Sequence, residues 1–436
     1  MNIYTDLKNK IKNKKAVITL VGLGYVGLPI ALEFCKKGFK VNGFDLASNR
    51  IEKLKKGHSY INDIPSKDIK AALKKGFYPT CDAKVINEAD CIIICVPTPL
   101  RKIKDPDVSY IVNASRTLRK HMRAGQLVVL ESTTYPGTTR EIMLPEMEKS
   151  RLKLGKDFCL AFSPERIDPG NPKYQFANIP KVVGGFSKQE TELVKLLYSS
   201  VVNRVIGVST PESAEVTKLL ENTFRIVNIG LINEFANLCD RLGIDVWEVI
   251  EAAKSKPFGF MPFYPGPGIG GHCIPADPMY LSWKARRVGF KTKMIDIAAS
   301  VNRDMPKYTA LRAEKILASK GKRIQNANVL IIGVTYKKDV NDLRESPALD
   351  LIEALKGKKC KLKYYDPYIP YLDIHGIKGE SVELTGAIIK KQDLVIVVTD
   401  HSDINYKNIA KNAKLIFDTR NIFENKGIRN KNIIKL

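Results

Sequence analysis

The stretch that constrains the fold most is a glycine turn near the start of the chain, set between an apolar run and a helical stretch. Residues 16–21 (AVITLV) are short, apolar and rich in β-branched side chains, as expected for a strand buried on both faces of a parallel sheet. This run is followed by the glycine turn at 22–27 (GLGYVG), a helical stretch at 28–37 and a second strand-like run at 40–45. Parallel strands need such a crossover, so this order predicts a strand–helix–strand unit.

The spacing G-x-G-x-x-G in this setting is typical of dinucleotide binding. Gly22 permits the tight turn, Gly24 lets backbone N–H groups approach a pyrophosphate, and Gly27 lets the helix pack on the strand. The helix N-terminus favours the phosphate charge. Asp45, at the end of the second run, would bind ribose hydroxyls and repel a 2′-phosphate, which favours NAD over NADP.

Three further apolar runs continue the β–α alternation, at 90–96, 126–130 and 158–162. In such sheets, ligands bind outside the carboxyl ends of the strands. Thr98 and Thr133 follow two of these ends, where a hydroxyl could reach a nicotinamide or a ribose, although either could equally cap a helix. The third run leads residues 163–171 (SPERIDPGN) to the same edge.

From about Thr210 the pattern becomes helical. Residues 215–242 contain no proline and place apolar side chains at helical spacing, which predicts a helix roughly 42 Å long at 1.5 Å per residue. Lys218, Asn222 and Arg225 are spaced i, i+4, i+7 and so lie on one face. Each alone could belong to a solvated face, but three in register beside apolar neighbours indicate a lined cleft.

Helical sequence continues from 278 to about 320, and a second α/β unit then opens at 328–333. This unit repeats the strand–helix–strand pattern but has no G-x-G-x-x-G, so we assign it no second NAD. Its first turn carries Lys337 and Lys338, and Arg344 precedes the next helix. Cations at a strand end suit a nucleotide diphosphate.

Between the two helical regions lies the segment 266–277 (GPGIGGHCIPAD), in which four glycines precede Cys273. Glycine permits φ > 0 and lets other atoms approach the chain closely. A Gly/Pro cluster alone most often forms a surface turn. A cysteine beside His272, with Asp277 four residues on, favours instead a nucleophile that a substrate can reach. We assign His272 no role in proton transfer.

Composition argues against several other classes of protein. The net charge of +25 could serve nucleic-acid binding, but the lysines are spread among acidic residues and form no stripe interleaved with aromatics. The excess charge would instead solvate the surface and steer anionic ligands. The eight cysteines and five histidines are dispersed, which predicts neither disulfides nor a metal site. With no apolar run of ~20 residues and no secretory signal, we expect a cytoplasmic protein.

Several motifs occur in order along nearly the whole chain: VGLGYVGLP at 21–29, PTP at 97–99, EST at 131–133, KLLEN at 218–222, GGHCIPAD at 270–277 and YKKDVNDLRESP at 336–347. On these motifs the chain resembles the UDP-glucose/GDP-mannose dehydrogenases, which are nucleotide-sugar 6-dehydrogenases. The resemblance implies an α/β fold with two Rossmann-like, doubly wound parallel-sheet domains joined by a central helical domain with a long spine helix. We expect an NAD-binding domain at 1–209, a helical domain that also dimerises at 210–320, and a UDP-sugar domain at 321–436.

In that family the C6 hydroxyl of the sugar is oxidised twice, to a carboxylate, with two NAD. An aldehyde carbon cannot readily give up a hydride until a nucleophile has added to it. A cysteine thiolate gives a thiohemiacetal, whose oxidation gives a thioester that water hydrolyses. By resemblance, Cys273 is this nucleophile, Lys218 polarises or protonates the C6 oxygen, and Glu165 assists hydrolysis or holds the thioester. Which of Lys218, Asp277 and Glu165 accepts the proton in each step stays open.

The resemblance and the strand-end positions together define three sets of candidates. The catalytic candidates are Cys273, Lys218, Asp277, Asn222, Glu165 and Thr133. Of these, Asp277 and Asn222 would position a base or water. The cofactor-binding candidates are Gly22, Gly24, Tyr25, Val26, Gly27, Asp45, Arg50, Pro97, Thr98, Thr133 and Arg344. The substrate-binding candidates are Glu165, Arg166, Ile167, Lys218, Asn222, Arg225, Gly268, Gly270, Tyr336 and Lys337.

A smaller set of residues bears on the sugar. The sequence SPER at 163–166, followed by DPGN at 168–171, is most similar to UDP-N-acetylglucosamine 6-dehydrogenases of bacterial surface-polysaccharide pathways. The UDP-N-acetylmannosamine enzymes usually carry a histidine/arginine pair ahead of the cysteine loop, where this chain has KSKP at 254–257. We therefore expect UDP-N-acetylglucosamine or its galactosamine epimer, with the mannosamine and glucose nucleotides as alternatives. A one-step hydroxyacid-type dehydrogenase and a noncatalytic nucleotide-sugar sensor are the other classes considered.

Overall fold

The computed structural model describes residues 2–61, 64–100, 105–167, 174, 176–271, 273–374 and 376–436. It divides into two compact units. Unit 1 comprises Met1–Glu221 and Met279–Phe290, and unit 2 comprises Asn222–Pro278 and Lys291–Leu436. No helix in the described part of the chain is both long enough and apolar enough to cross a bilayer.

Unit 1 is built on an eight-stranded sheet with the order β3-β2-β1-β4-β5-β6-β7-β8. Its strands are β1 (Val17–Val21), β2 (Lys40–Phe44), β3 (Phe77–Thr80), β4 (Cys91–Ile94), β5 (Gln126–Leu130), β6 (Phe158–Phe162), β7 (Lys181–Gly185) and β8 (Val205–Val208). Neighbouring strands are parallel except β6 and β7. The first six strands therefore have the order of the doubly wound dinucleotide-binding fold.

Helices and apolar cores cover both faces of this sheet. The helices are α1 (Ile3–Lys12), α2 (Gly27–Lys36), α3 (Ser48–Lys55), α4 (Ser66–Lys74), α5 (Val85–Glu88), α6 (Ser109–His121), α7 (Leu144–Glu148) and α8 (Lys188–Ser199), with a π-helix at Thr139–Met143 and a 3₁₀ turn at Phe176–Asn178. In β4, Cys91 and Ile93 belong to one core, whereas Ile92 and Ile94 belong to another. Because side chains alternate across a strand, the sheet is buried on both faces.

The predicted spine helix is present as α9 (Pro211–Leu242), which contains 32 residues. It begins one turn before the expected start at Glu215. Proline suits the first turn of a helix, because its φ is preset and its missing N–H would have no partner there. The Thr210 hydroxyl accepts the Ser213 N–H at 3.1 Å and so caps this end.

Three more helices follow: α10 (Val246–Lys254), α11 (Cys273–Arg287) and α12 (Lys293–Ala318). The helical stretch expected at 278–320 is therefore two helices, separated by a turn in which Gly289 has a φ of +78°. A Cβ on Gly230 of α9 would lie 3.1 Å from the Cα of Ala298 in α12. The absence of a side chain at Gly230 thus allows these two backbones to approach closely.

Unit 2 contains the second predicted sheet, with the order β10-β9-β13-β14-β15, and a separate hairpin of β11 and β12. The strands are β9 (Asn328–Ile332), β10 (Lys361–Tyr365), β11 (Tyr371–Ile374), β12 (Ile377–Glu380), β13 (Leu394–Val397), β14 (Ile416–Asp418) and β15 (Ile433–Lys435). The helices are α13 (Pro347–Gly357), α14 (Gly386–Lys390), α15 (Tyr406–Asn412) and α16 (Ile422–Asn425). All five strands of the sheet are parallel. The predicted fold class, with two doubly wound sheets and a helical middle, is confirmed.

Candidate active site

The glycine turn after β1 contains two positions that no side chain could occupy. Gly22 has a φ of +94°, and a Cβ there would lie 2.6 Å from the backbone oxygen of Cys95. A Cβ on Gly27, the first residue of α2, would lie 1.9 Å from the Gly22 oxygen. A Cβ on Gly24 would meet no atom of the described residues within 4 Å. Gly24 therefore borders open space at the N-terminus of α2, where an anion is favoured.

Asp45 follows β2 and is buried beside the same turn. Its Oδ2 accepts the Leu23 N–H and its Oδ1 accepts the Ala47 N–H, each at 2.8 Å. The Arg50 guanidinium lies 3.5 Å from Oδ2. Asp45 therefore supports the shape of the turn, and its Oδ1, which accepts the Ala47 N–H, has a second lone pair for a ribose hydroxyl.

A cavity of about 240 Å³ opens beside the glycine turn and is lined by Gly24, Tyr25, Asn49, Arg50, Lys53 and Tyr60. The Arg50 guanidinium lies 5.7 Å from the centre of the Tyr60 ring, and the Tyr60 hydroxyl donates to the Leu23 carbonyl. Two cations and a helix N-terminus favour an anionic ligand. Three of the cofactor candidates thus border one cavity, and Val26 is half-buried next to it.

The candidates after β4 and β5 differ in exposure. Thr98 is buried and its carbonyl accepts the Tyr280 hydroxyl, whereas Pro97 is exposed and Thr133 is half-buried. The Ser132 hydroxyl donates to the carbonyl of the second residue after β4 at 2.8 Å. This bond holds the carboxyl ends of β4 and β5 together.

A buried carboxylate holds the turn that follows Thr133. Glu215 of α9 accepts the Gly137 N–H at 2.5 Å, the Thr139 N–H at 3.0 Å and the Thr139 hydroxyl at 2.6 Å. Burial raises the pKa of Glu215 to about 7, and the hydrogen bonds oppose this shift only in part. Sequence analysis missed Glu215, because a glutamate near a helix start looks like an ordinary solvated residue.

Glu165 lies after β6 and is anchored to the backbone of the next two residues and to a lysine. Its Oε1 accepts the N–H groups of Arg166 and Ile167, both at 2.6 Å, and its Oε2 lies 3.1 Å from Lys181 Nζ. Lys181 Nζ also lies 2.6 Å from Glu131. Sequence analysis missed Lys181, because nothing in its neighbourhood along the chain indicates either carboxylate.

Arg166 is held in place within unit 1. Its guanidinium pairs with Glu221 at 2.6 Å and donates to the Pro180 carbonyl at 2.6 Å. Ile167 beside it is half-buried. The continuation of this motif at Asp168, Pro169, Gly170 and Asn171 lies outside the described residues, as does His272.

Two of the catalytic candidates in unit 2 form a buried pair. Asn222 of α9 donates to Asp277 Oδ2 of α11 at 2.5 Å, and these residues are 4% and 2% exposed. Lys218, one turn before Asn222 in α9, is buried as well. Arg225 is exposed. The predicted polar face of α9 is therefore buried at its first two positions and open at the third.

Cys273 is the first residue of α11 and its side chain is exposed. The Gly/Pro cluster suggested a turn around this cysteine, whereas a helix begins at it and carries Asp277 one turn later. Pro275 lies in the first turn of α11, where proline is tolerated, whereas Pro278 lies inside the helix and leaves one backbone carbonyl without its usual N–H donor. A negative charge on the sulfur would meet the positive end of the helix dipole.

The glycines before Cys273 are packed against one segment of unit 2. A Cβ on Gly268 would lie 2.9 Å from Pro347, and one on Gly270 would lie 2.6 Å from the Cβ of Tyr336. Gly271 has a φ of +83°, and its N–H donates to the Arg344 carbonyl at 3.0 Å. The cysteine segment and the Tyr336–Arg344 turn are thus brought together, as their candidate residues would require.

The start of this glycine segment is held by residues that sequence analysis missed. Asn233 of α9 accepts the Gly266 N–H at 3.0 Å and donates to Asn302 of α12 at 2.8 Å. The Arg420 guanidinium also borders Gly266, because a Cβ there would lie 2.6 Å from Nη1. Arg420 follows β14 by two residues, so the strand-end rule that selected Thr98 would have found it.

Buried polar groups support the turn that carries Tyr336 and Lys337. Asp366, after β10, accepts the Val334 N–H at 2.7 Å and lies 3.1 Å from His401 Nε2. The other ring nitrogen of His401 accepts the Asp339 N–H at 3.0 Å. Although burial alone would raise it, these hydrogen bonds lower the pKa of Asp366 below its ordinary value.

Arg344 is exposed at the end of the same turn. Its Nη2 lies 2.6 Å from Asp342 Oδ2, and its Nε lies 3.0 Å from both oxygens of that carboxylate. Tyr336 and Lys337 are half-buried. A phosphate at Arg344 would therefore have to compete with an acidic neighbour.

Sequence comparison identifies three matched regions. The chain matches three domain models of the UDP-glucose/GDP-mannose dehydrogenase family. These are the NAD binding domain at residues 16–202, the central domain at 212–304 and the UDP binding domain at 330–425. Protein CapL of Staphylococcus aureus is 38% identical over 418 residues, which cover 93% of this chain and 96% of that protein. UDP-N-acetyl-D-glucosamine 6-dehydrogenase of Pseudomonas aeruginosa is 34% identical over 422 residues, with 94% and 98% covered.

Structure comparison gives the same result. The solved structure of UDP-D-ManNAc dehydrogenase from Pyrococcus horikoshii superposes on this chain with a TM-score of 0.86 and 34% sequence identity. The alignment covers 96% of this chain and 98% of the Pyrococcus chain. The similarity extends over both sheets and the helices between them.

A pair of glycine variants separates the structural part of the turn from its part in cofactor binding. We expect Gly27→Ala to lower the free energy of unfolding by about 2 kcal/mol, because its Cβ overlaps a backbone oxygen. Gly24→Ala should change stability by less than about 1 kcal/mol, yet raise the Kd for NAD about tenfold, because its Cβ fills the cofactor's space. Urea unfolding measures the stability of both variants, and titration with NAD measures their Kd. An unchanged Kd in Gly24→Ala would remove this glycine from the cofactor site.

Proposed function

Because the chain belongs to the UDP-glucose/GDP-mannose dehydrogenase family, it is an NAD-dependent oxidoreductase of nucleotide sugars, and we propose that it oxidises the C6 hydroxyl of UDP-N-acetylglucosamine to a carboxylate. The observation that carries this proposal is the exposed Cys273 at the start of α11, one turn before the buried Asp277–Asn222 pair. We also propose the domain limits 1–209, 210–320 and 321–436, which the order of the three family matches supports.

The residues of unit 1 fit the cofactor. The open space beside Gly24, the N-terminus of α2 and the cations of the adjoining cavity suit a pyrophosphate. The second lone pair on Asp45 Oδ1 suits a ribose hydroxyl. Thr98 and Thr133 lie at the strand ends where a nicotinamide would be expected. When bound, NAD accepts a hydride from the sugar carbon.

Cys273 explains how one enzyme can carry out both oxidations. The first takes the alcohol to the aldehyde, and one hydride leaves C6. The thiolate of Cys273 then adds to the aldehyde carbon, and the second hydride leaves the resulting thiohemiacetal to give a thioester. Water breaks the C–S bond, supplies the second carboxylate oxygen and returns the thiol. The balance is one sugar, one water and two NAD converted to one carboxylate, two NADH and three protons.

The proposed roles of the remaining catalytic candidates follow from the charge or the hydrogen-bonding group of each side chain. Lys218 carries an ammonium that would stabilise negative charge on the C6 oxygen. The Asn222–Asp277 pair would orient water or take up a proton, since a carboxylate held by an amide donor keeps a fixed direction. Glu165 would assist hydrolysis of the thioester, with Thr133 in contact with cofactor or water.

Unit 2 would bind the nucleotide portion of the substrate. Tyr336 offers an aromatic face to a base and Lys337 a cation to the diphosphate. Gly268 and Gly270 place backbone groups beside this turn, where a sugar could approach the chain closely. Arg225, exposed on α9, and Arg166, with Ile167 beside it, are the remaining proposed contacts to the diphosphate or the sugar.

The choice of sugar rests on a local motif. Relatives named for N-acetylglucosamine and for N-acetylmannosamine are 34% and 35% identical to this chain, so overall similarity does not separate them. The segment SPERIDPGN at 163–171 and the absence of a histidine/arginine pair at 254–257 support the glucosamine nucleotide. The mannosamine, galactosamine and glucose nucleotides are the alternatives.

We further propose a homodimer through α9. Five large apolar residues of this helix, within unit 2, are exposed at helical spacing: Phe224 46%, Leu231 54%, Phe235 46%, Leu238 48% and Leu242 61%. A continuous apolar stripe of this length indicates an interaction surface. A second copy of the same helix offers a matching stripe, and the family resemblance implies dimerisation through the helical middle.

Counting NADH against a panel of nucleotide sugars tests the reaction and the substrate together. We expect two NADH per UDP-N-acetylglucosamine consumed, and a kcat/KM at least about tenfold above that for the mannosamine nucleotide, because the acetamido group changes direction at C2. The galactosamine and glucose nucleotides complete the panel. One NADH per sugar would indicate a one-step dehydrogenase, and no turnover with any of the four would indicate a sensor.

Cysteine variants test the nucleophile. We expect Cys273→Ala to lower carboxylate formation by at least about a thousandfold, because the aldehyde then has no covalent route to the acid. Cys360→Ala is the control, since Cys360 is partly exposed and precedes β10, at the opposite end of that strand from Asp366. Product analysis by mass spectrometry checks both. Full acid production by Cys273→Ala would contradict the mechanism.

Charge placed on the α9 stripe tests the dimer. We expect the variant Leu231→Glu/Leu238→Glu to sediment as a monomer at micromolar concentration, because burying carboxylates in an apolar interface is unfavourable. Tyr371→Glu, at a residue of β11 that is 53% exposed, adds a charge outside the stripe and should leave the mass unchanged. A double stripe variant with the wild-type mass would show that α9 is not the interface.

A further inference from the structure

A lysine closed off from water lies at the start of β7, between two carboxylates of unit 1. Lys181 Nζ is 2.6 Å from Glu131 Oε2 and 3.1 Å from Glu165 Oε2. The side chains of Lys181 and Glu131 are 4% and 0% exposed. Lysine is almost never buried so deeply unless it is paired. The three groups therefore form one charge cluster, which joins the carboxyl ends of β5 and β6 to the start of β7.

Aromatic and sulfur groups close this charge cluster. The Tyr198 hydroxyl of α8 donates to Glu131 Oε1. The rings of Tyr198 and Phe176 lie 5.3 and 5.5 Å from Lys181 Nζ, where their faces stabilise the ammonium. The groups that face Glu131 are Lys181, Glu165, Tyr198 and the Cys95 thiol.

The cluster contains one ammonium and two carboxylates. The net charge of the cluster is therefore −1 when both carboxylates are ionised. Burial raises the pKa of Glu131 to about 7, more than Lys181 lowers it. As the pH falls through this value, Glu131 takes up a proton and loses its charge, so Glu165 becomes the main partner of the Lys181 ammonium. Above it, the ammonium is divided between the two carboxylates.

The Glu165 carboxylate is held from two sides. The N–H groups of Arg166 and Ile167 bind Oε1 and fix the chain after β6. The Lys181 ammonium binds Oε2 and fixes the direction of the carboxylate. Without the ammonium, only the bonds to Oε1 hold the carboxylate, and the terminal torsion of a glutamate is otherwise broad. A misplacement of about 1 Å can lower a rate about 100-fold.

We propose that Lys181 is a positioning residue for Glu165, and that Glu131 sets how fully Lys181 is engaged with it. The proposal rests on the proposed function, in which Glu165 assists hydrolysis of the Cys273 thioester. Lys181 makes and breaks no bond itself. It holds the carboxylate that does so, and Glu131 competes for the same ammonium.

The first test compares Glu131→Gln with Glu131→Gln/Lys181→Gln in the full-length enzyme. Both variants lack the buried Glu131 carboxylate, and only the second lacks the ammonium. We expect the steady-state kcat of the double variant to be about 100-fold below that of Glu131→Gln. Formation of the thioester precedes hydrolysis, so the double variant should still show a burst of two NADH per active site, and acid quenching should trap the sugar on Cys273. KM for the nucleotide sugar should agree within about twofold between the variants.

Two outcomes would overturn the proposal. One is an equal kcat in the two variants. The other is a burst that shrinks in proportion to kcat, because a general structural defect lowers both. If the wild-type enzyme released one NADH per sugar, the proposed function would fall and this inference with it. If the wild type released two while the variants agreed, only the inference would fall.

Tyr198→Phe provides a second measurement that does not depend on the double variant folding. The lost hydroxyl is a donor that lowers the pKa of Glu131, so its removal should move that pKa upward. We expect the wild-type kcat to rise as the pH falls through a midpoint near 7, because Glu131 then stops competing for the Lys181 ammonium. This midpoint should move to higher pH in Tyr198→Phe. It should be absent from Glu131→Gln. A structural defect would lower kcat alike at every pH. The same midpoint in all three proteins would overturn the proposal.

Discussion

Both sheets consist mainly of parallel strands buried on both faces, and this constraint decides where polar groups can lie. Side chains within the strands are occupied by the two cores, so reactive groups lie in the segments that leave the carboxyl ends. Asp45, Thr98 and Glu165 lie in such segments of unit 1. Lys337 and Arg420 lie in such segments of unit 2. Each segment must then be held by polar contacts, because no regular hydrogen-bond ladder continues into it.

The two units use the same device to hold their first turn. Asp45, after β2, accepts the N–H of Leu23 in the turn after β1 at 2.8 Å. Asp366, after β10, accepts the N–H of Val334 in the turn after β9 at 2.7 Å. The turn after β9 lacks the G-x-G-x-x-G spacing, so this contact does not depend on NAD. The acidic residue that the sequence assigns to ribose binding therefore also has a structural role, and its loss would weaken the turn as well as any contact to the cofactor.

Strands with continuous apolar runs could be predicted from the sequence, and the mixed strand β2 could be placed by the glycine turn and helix before it, whereas β7 and β8 could not be predicted. The runs at 126–130 and 158–162 are β5 and β6 without change, because both are buried along their whole length. β7 begins with Lys181, and β8 has no fully buried residue, so neither resembles a core strand. The pairing of Lys181 with Glu131 joins residues 50 positions apart. Patterns along the chain report local periodicity, and a pairing at this separation depends on the sheet order instead.

The segment before Cys273 shows why its glycines are needed within the protein itself. Sequence analysis explained them by the approach of ligands. In unit 2, Gly268 and Gly270 leave no space for a Cβ against Pro347 and Tyr336, and the Gly271 N–H bonds to the turn that carries Lys337. The segment that presents the sulfur and the turn that would bind the nucleotide are therefore packed as one body. Because interiors of this kind do not deform continuously, a shift of the nucleotide turn would be transmitted to the start of α11. The glycines thus fix the segment before α11 relative to the turn that would bind the nucleotide.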